Sequence, residues 1–341
     1  MLDVIVAGGG PIGIVTALHA ARAGLDVVVR EPRTGPIDKA CGEGLMSGAV
    51  EALTDLGVRL DGRAIMGIAY VDGSYRAEAR FRRGVGRGVR RTTLHAALMD
   101  ALCAAGVPVE QVAVKDVRDG GDHVLVDGRP ARYLVAADGL HSPVRRMTGL
   151  DAPSRMPRRY AQRAHVPVAP WSDLVEVHWA PSSEAYVTPT VDDEVGVALL
   201  TRQQGRSFDE LLADHPLLVE RLAGMPRGRV RGAGPLRQRA RHRVCGRVLL
   251  VGDAAGYVDA LTGEGIALGI AQARSAVAAV VAGDPRRHER GWRRLTWRHD
   301  LMTAGLVTAT RAAAVRARVV PAAQRLPAVF DWAVDQLARP A

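Results

Sequence analysis

Apolar and polar positions alternate between two periods along this chain. An apolar-rich run over 2–7, interrupted only by Asp3, predicts a strand, and a glycine turn separates it from a helical pattern over 12–23 that Gly24 stops. A second apolar run over 26–30 completes a strand–helix–strand opening with parallel strands. Residues 40–57 read as a helix ended by Gly57, and apolar-rich runs over 65–71 and 74–81 flank Asp72-Gly73, a hairpin signal. A further helix is expected over 92–105 before Gly106, followed by short strands over 107–114 and 123–126 and a longer one over 133–137.

From about residue 153 the period changes to two. Alternating runs over 161–168, 174–179, 185–190 and 194–200, separated by Pro, Ser and Asp, predict an antiparallel sheet. A helix over 208–223 and another strand close it, and the apolar run over 247–251 returns to the first sheet. Beyond residue 262 the Ala- and Leu-rich chain reads as helical, ending in an amphipathic stretch over 321–337. No internal repeat is visible.

A length of 341 residues, 48% hydrophobic, allows a substantial core. The chain opens Met1-Leu2-Asp3 with no basic-then-apolar leader, and its longest apolar runs, near 275–282 and 300–315, are bounded or broken by Arg, so a soluble cytoplasmic protein is expected. Cys41, Cys103 and Cys245 lie far apart without a CxxC pair, which suits reduced thiols; no metal site is expected, because the ten histidines form no ligand spacing. The formal charge of +10 comes almost wholly from arginine, Lys39 and Lys115 being the only lysines, and reads as compositional bias. The competing reading is an anionic partner, a peripheral contact at the inner membrane face, because Arg286, Arg287, Arg290, Arg293, Arg294 and Arg298 crowd beside Trp292 and Trp297. Nucleic acid is not expected, since no matching recognition motif accompanies the charge.

The chemistry starts at the first glycine turn. Val6-Ala7-Gly8-Gly9-Gly10-Pro11-Ile12-Gly13 contains GxGxxG between strand and helix, with Glu31 ending the next strand. Gly8 would permit the tight turn, Gly10 the approach of backbone to a pyrophosphate, and Gly13 close helix packing, while the first helical turn at Pro11 and Ile12 offers free N–H groups. Glu31 would bind ribose hydroxyls. An acid there disfavours a ribose 2′-phosphate and leaves FAD or NAD.

Two later segments bear on that choice. In Val251-Gly252-Asp253 a buried strand ends in a glycine turn with a carboxylate suited to a polyhydroxylated ribityl chain, and Thr262-Gly263-Glu264-Gly265-Ile266 opens an Ala-rich helix whose N-terminus could face the pyrimidine edge of a flavin. Together with Ala137-Asp138-Gly139 these segments resemble the fingerprints of the FAD superfamily of aromatic-ring hydroxylases and geranylgeranyl reductases, in the family's order over about 270 residues. The resemblance implies an α/β, Rossmann-like FAD/NAD(P)-binding fold with an inserted antiparallel (α+β) substrate sheet and a helical C-terminal tail. It divides the chain into an FAD domain (1–62, 88–152, 246–285), a substrate domain (63–87, 153–245) and a helical segment (286–341). It also implies FAD contacts from Arg33, Arg91, the main chain at Val114, Asp138, Gly252, Asp253, Gly263, Gly265 and Ile266, with NAD(P)H as a transient donor because no second GxGxxG exists.

Lys39-Ala40-Cys41-Gly42-Glu43-Gly44-Leu45 looks like the geranylgeranyl-reductase branch, whereas Tyr186-Val187-Thr188-Pro189 lacks the aromatic pair that branch carries before the proline. The resemblance therefore favours an NAD(P)H-using monooxygenase that hydroxylates a phenolic or polyketide-derived aromatic, with molecular oxygen as co-substrate and a flavin C4a-hydroperoxide as oxidant, as in secondary metabolism. The alternatives are a geranylgeranyl-reductase-like enzyme acting on alkenes of a prenyl or lipid substrate, and a non-catalytic flavin- or lipid-binding protein. Cys41, Glu43 and Tyr186, with His178, are the candidate catalytic residues, each with a purely structural role as its rival.

Overall fold

The computed structural model describes residues 1–154, 157–261 and 263–338. Its larger sheet is built on the opening unit: Leu2–Ala7 lies parallel between Val27–Arg30 and Arg129–Ala136, and Val248–Leu250 adds a further parallel strand beyond the latter. Both faces are covered, which is why the inner parts of these strands, over 4–7, 27–29, 133–136 and 248–250, are continuous apolar runs. Val4, Val6, Val135 and Leu249 face the helices Pro11–Arg22, Arg91–Ala104 and Gly265–Val281, whereas Ile5, Ala7, Leu134 and Leu250 face the opposite layer.

The second sheet has seven strands in the order Arg231–Ala233, Tyr160–Val166, Glu194–Thr201, Ser183–Val191, Leu174–Trp179, Gly67–Asp72, Tyr75–Arg80. The hairpin at Asp72-Gly73 forms as the sequence predicts, with Gly73 at φ +53°, and it joins this sheet by parallel pairing of Leu174 with Gly67 through His178 with Val71. The sheet is thus mixed at that one junction and antiparallel elsewhere. One face, with Ile68, Val177, Tyr186, Ala198 and Leu200, turns towards the larger domain; the other, with Ala164, Ala185, Val187 and Leu199, is sealed by Phe208, Leu211 and Leu218. A small sheet of Gly44–Leu45, Gly86–Gly88 and Arg63–Ile65 lies beside it, where a Cβ on Gly88 would come within 1.7 Å of the Pro189 carbonyl oxygen.

Three expected helices are revised by local chemistry. The helix expected over 40–57 is confined to Ser47–Asp55, because Glu43 takes φ +59° and Gly44–Leu45 pair as a strand. The stretch expected over 208–223 splits into Phe208–Leu212 and Pro216–Arg221, since Pro216 offers no N–H to continue the ladder. The final stretch divides in the same way, before Pro327, into Val319–Arg325 and Pro327–Ala338. These last helices cover the outer hairpin, with the Phe330 ring 4.8 Å from that of Tyr70. Just ahead of them the buried Arg316 pairs with Glu184 at 2.6 Å and tethers the tail to the sheet. No helix among the described residues is long and apolar enough to cross a membrane.

Burial shapes the acid response of this fold. Burial, then the neighbouring charge of His178, lowers His215 from an ordinary 6.5 to about 4, and its Nε2 lies 3.0 Å from the Ser183 hydroxyl. The unfolded chain takes up the proton at the higher pH, so this group's contribution is complete above about 6.5 and is lost as pH falls towards 4. Denaturation midpoints measured at about pH 7 and about pH 5 should differ in that direction, and His215→Asn should narrow the difference while lowering stability at neutral pH.

Candidate active site

The glycine turn is shaped by contacts of very different closeness. Gly8 sits at φ +101°, where a Cβ would meet the Ala137 carbonyl oxygen at 2.6 Å, and a Cβ on Gly13 would lie 1.8 Å from the Gly8 carbonyl oxygen. Gly10 differs: a Cβ there would meet only Arg91 Nη2, at 3.9 Å, so no packing within the chain requires glycine at this position. It caps the first helix without a side-chain acceptor, with Pro11 in the first turn, leaving main-chain donors to face outward. Glu31 accepts from Gly9 N at 2.8 Å and from Arg33 Nε at 2.7 Å. Burial opposes its ionisation, yet these donors hold the carboxyl below the usual carboxylate range. His95, which sequence patterns did not single out, holds the turn from the helix Arg91–Ala104 by donating from Nε2 to the Gly9 carbonyl at 2.9 Å.

At the other end of the first helix's N-terminal turn, Ile12 lies against Gly252 and Gly269; a Cβ on Gly269 would come within 2.5 Å of Ile12 Cδ1. Gly252 N donates to Gln272 Oε1 at 2.8 Å, which fixes the short turn bearing Asp253. Burial raises the Asp253 carboxyl above its ordinary value, while Lys39, Arg91 and Arg145 oppose the rise. Arg145, fully buried, donates to the carbonyl oxygens of Ala254 at 3.0 Å and Leu140 at 3.1 Å and so ties two loops together. Asp138 accepts from Val144 N at 3.0 Å in the first turn of the short helix Pro143–Met147, which Ser142 caps, while its neighbour Gly139 lines the cavity described next. Val114 packs on the core of the larger sheet. Thr262 lies outside the described residues.

A cavity of about 420 Å³ runs from Gly10, Pro11 and Ile12 past Asp253, Gly263, Gly265 and Ile266 to the sheet face formed by Ile68, Tyr70, Val175, Val177, Ala198 and Leu200. Its near wall is the loop over 38–43. Arg163, 2% exposed, clamps this loop through Asp38, and His165 Nε2 meets Glu43 Oε2 at 2.7 Å. Glu43 Oε1 accepts the main-chain N–H of Arg91 at 2.8 Å, so both carboxylate oxygens are engaged and the residue anchors the wall instead of standing free as a base. The Cys41 thiol lines the cavity; burial pushes it above its ordinary value, and Glu43 N lies 3.4 Å from its sulfur. Tyr186 donates to the Leu261 carbonyl at 2.9 Å, and burial followed by the charge of Glu184 raises its phenol well above 10. His178 falls on the far face of the sheet, bonded to Glu176 at 3.0 Å, because strand alternation turns it away from Val177.

Lys39 is a functional residue to which the sequence patterns give no role. It lines the cavity, and burial, then the Arg33 charge, lowers its ammonium below the ordinary value despite Asp253 nearby. The signal was present, since a lysine is rare in a chain so strongly biased to arginine. A flavin dinucleotide fits this donor set. Gly10 leaves space beside main-chain N–H groups, Arg91 Nε is buried without a partner among the described residues, and Lys39 and Arg91 place positive charge where phosphates need it.

Comparison with known proteins bears on the same surface. The family described as "FAD binding domain" matches residues 1–287. The dialkyldecalin synthase of Streptomyces rugosporus is 30% identical over 306 residues, covering 79% of this chain and 63% of that protein, so the chain spans less than two-thirds of that relative's length. The menaquinone reductase of Mycolicibacterium smegmatis is 29% identical over 337 residues, covering 87% of this chain and 80% of that one. A solved flavoprotein/dehydrogenase from Cytophaga hutchinsonii superposes with a TM-score of 0.86 at 20% identity over 99% of this chain and 92% of that one, a likeness of fold.

The two glycines of the turn should therefore respond differently to substitution. Gly13→Ala is expected to lower stability by about 1–3 kcal/mol or more, in apoprotein and holoprotein alike. Gly10→Ala should lower the apoprotein's melting temperature much less than Gly13→Ala, because φ −71° suits any side chain and its Cβ would meet only Arg91 Nη2, and should weaken FAD binding by roughly tenfold or more. Flavin titration followed by fluorescence, paired with thermal melts, checks both.

Proposed function

The chain belongs to the FAD binding domain family and is an FAD-dependent oxidoreductase, and from that premise we propose that it reduces a carbon–carbon double bond in an extended, largely apolar substrate. When bound, FAD supplies two-electron redox chemistry. Holding it would fall to the main chain at Gly10–Gly13, to Glu31 and Arg33 at the adenosine end, to Arg91 and Lys39 near the phosphates, and to Asp253 with the helix N-terminus at Gly263–Ile266 at the ring end.

The observation that carries this reading is the character of the cavity beyond that frame. Its sheet wall is mainly apolar, Arg163 and Thr188 apart, and the candidate acids on the near wall and sheet are kept protonated or are already bonded: the Cys41 thiol and Tyr186 phenol are both raised by burial, and Glu43 is occupied on both oxygens. Such groups exclude water and offer protons, and none of Cys41, Glu43 and Tyr186 stands free as a base to deprotonate a phenol. In reducing an alkene, two electrons and one proton reach one face of the double bond and a second proton completes the product. Cys41, whose thiol lines the cavity, would be the near source of that proton. The reductase named among the relatives, and the Lys39–Leu45 segment, support the same direction.

A second reading, oxygen-dependent hydroxylation of a phenol with NAD(P)H as donor, is favoured by Arg163. This residue lines the cavity, and its Nε is buried without a partner among the described residues, a position suited to a phenolate oxygen. Product mass separates the two. Holoprotein with a chemical or nicotinamide reductant should add two hydrogens to a polyprenyl or prenylated quinone substrate without oxygen, whereas incorporation of labelled oxygen into a phenolic substrate would select hydroxylation and overturn the first reading. Cys41→Ala should then lower turnover by roughly a hundredfold with flavin content unchanged. Tyr186→Phe, which loses one hydrogen bond to the Leu261 carbonyl, should cost about 1 kcal/mol of stability and shift KM more than kcat.

A further inference from the structure

The net charge of +10 is distributed very unevenly. Residues 286–330 hold ten arginines against two acids, Glu289 and Asp300, and so carry +8; the rest of the chain has 36 basic and 34 acidic residues and is close to neutral. Compositional bias alone would spread the excess. The structure sharpens the asymmetry, because both acids of the helix Arg286–Ala309 turn inward: Glu289 accepts from Arg243 N at 2.6 Å, and Asp300 is half-buried.

The same helix has a distinct inner and outer face. Inside, His288, Thr296, Thr303 and Val307 are buried, His288 Nε2 donates to the Leu250 carbonyl at 2.8 Å, and His299 meets Glu264 at 2.6 Å beside the helix that opens at Gly265. Outside, Arg287, Arg290, Arg294, Trp297 and Leu301 are exposed at spacings of three and four and form a single stripe, at the start of which Asp284 pairs with Arg290 at 3.2 Å. Trp297 is 55% exposed and Leu301 66%, and the guanidinium of Arg298 lies 5.2 Å from the Trp297 ring. Among the described residues, Arg287, Arg294 and Arg298 have no carboxylate partner.

We propose that this outer face of the helix Arg286–Ala309 docks on an anionic lipid surface, with its arginines at the headgroups and Trp297 and Leu301 entering the interface. Charge complementarity requires an anionic partner, and the exposed tryptophan and leucine within the arginine stripe favour a partner with an apolar layer beneath its charge. Nucleic acid offers no such layer. The inner face of the helix holds the last strand and the Glu264 turn, so docking would leave the fold and the flavin end of the cavity as they are. The inference stands whether or not the reaction proposed above is right.

The test is flotation of the flavin-loaded full chain with vesicles of phosphatidylcholine alone or of equimolar phosphatidylcholine and phosphatidylglycerol. Binding to the mixed vesicles only, weakened by added salt, is expected. Replacing Arg287, Arg294 and Arg298 together with Gln should reduce that binding by roughly tenfold or more. Trp297→Ser with Leu301→Ser should reduce it with little change in salt dependence, and flavin absorbance should confirm that both variants remain folded. Equal binding to neutral vesicles, binding unaffected by either variant, or retention on duplex DNA without retention on vesicles would overturn the proposal.

Discussion

The site depends on a close approach between backbones where the first helix meets the parallel sheet. Gly8 and Gly13 let the turn close on itself and on Ala137, and the loss of side chains at Gly252 and Gly269 lets Ile12 seat against the turn that bears Asp253. These contacts bring three separate stretches of chain, near residues 10, 138 and 253, to the edge of one cavity. Any bulk at these glycines would push the helix off the strand and part the two ends of the site, because packed backbone cannot yield as a flexible side chain can. Gly10 alone among the turn's spaced glycines is not spent on internal packing, and it faces the space where main-chain donors converge.

The electrostatics of that space follow from burial. Lys39 loses some of its preference for charge and Asp253 some of its ionisation, while Glu31 keeps its charge because Arg33 and the Gly9 amide compensate for the water it has lost. The site is therefore set up with opposed, partly neutralised groups at one end and an apolar wall at the other. A long ligand with a charged middle and a flat, redox-active end suits that gradient better than a compact one.

Much of this was legible in the sequence, and the exceptions have physical causes. The opening strand, helix and strand, the hairpin at Asp72-Gly73 and the four runs of the inserted sheet all announce themselves by period, since burial on one or both faces leaves a direct mark on residue order. Helix limits near Pro216, Pro327 and Glu43 did not, because propensity summed over a window hides a single missing N–H or a single positive φ. The catalytic candidates divided along the same line. Cys41 and Tyr186 do reach the cavity; His178 does not, since one residue of strand register decides the face and no local pattern fixes it. Glu43 reaches the wall yet is occupied by Arg91 and His165, partners 48 and 122 residues away that no motif connects to it. His95 and Arg145 were missed for the same reason: they tie the loops of the site together through main-chain carbonyl oxygens, which leave no trace in the residue pattern.

The alternation of the inserted sheet has a further consequence. The side chains at 68, 177, 198 and 200 project into the cavity, while alternation turns Val197 and Leu199 into a separate core and Glu176 and His178 to the far face of the sheet. Pocket shape can therefore drift one methyl group at a time without disturbing the electron-carrying half, and new substrates become accessible to the same fold through changes confined to alternate positions on three strands.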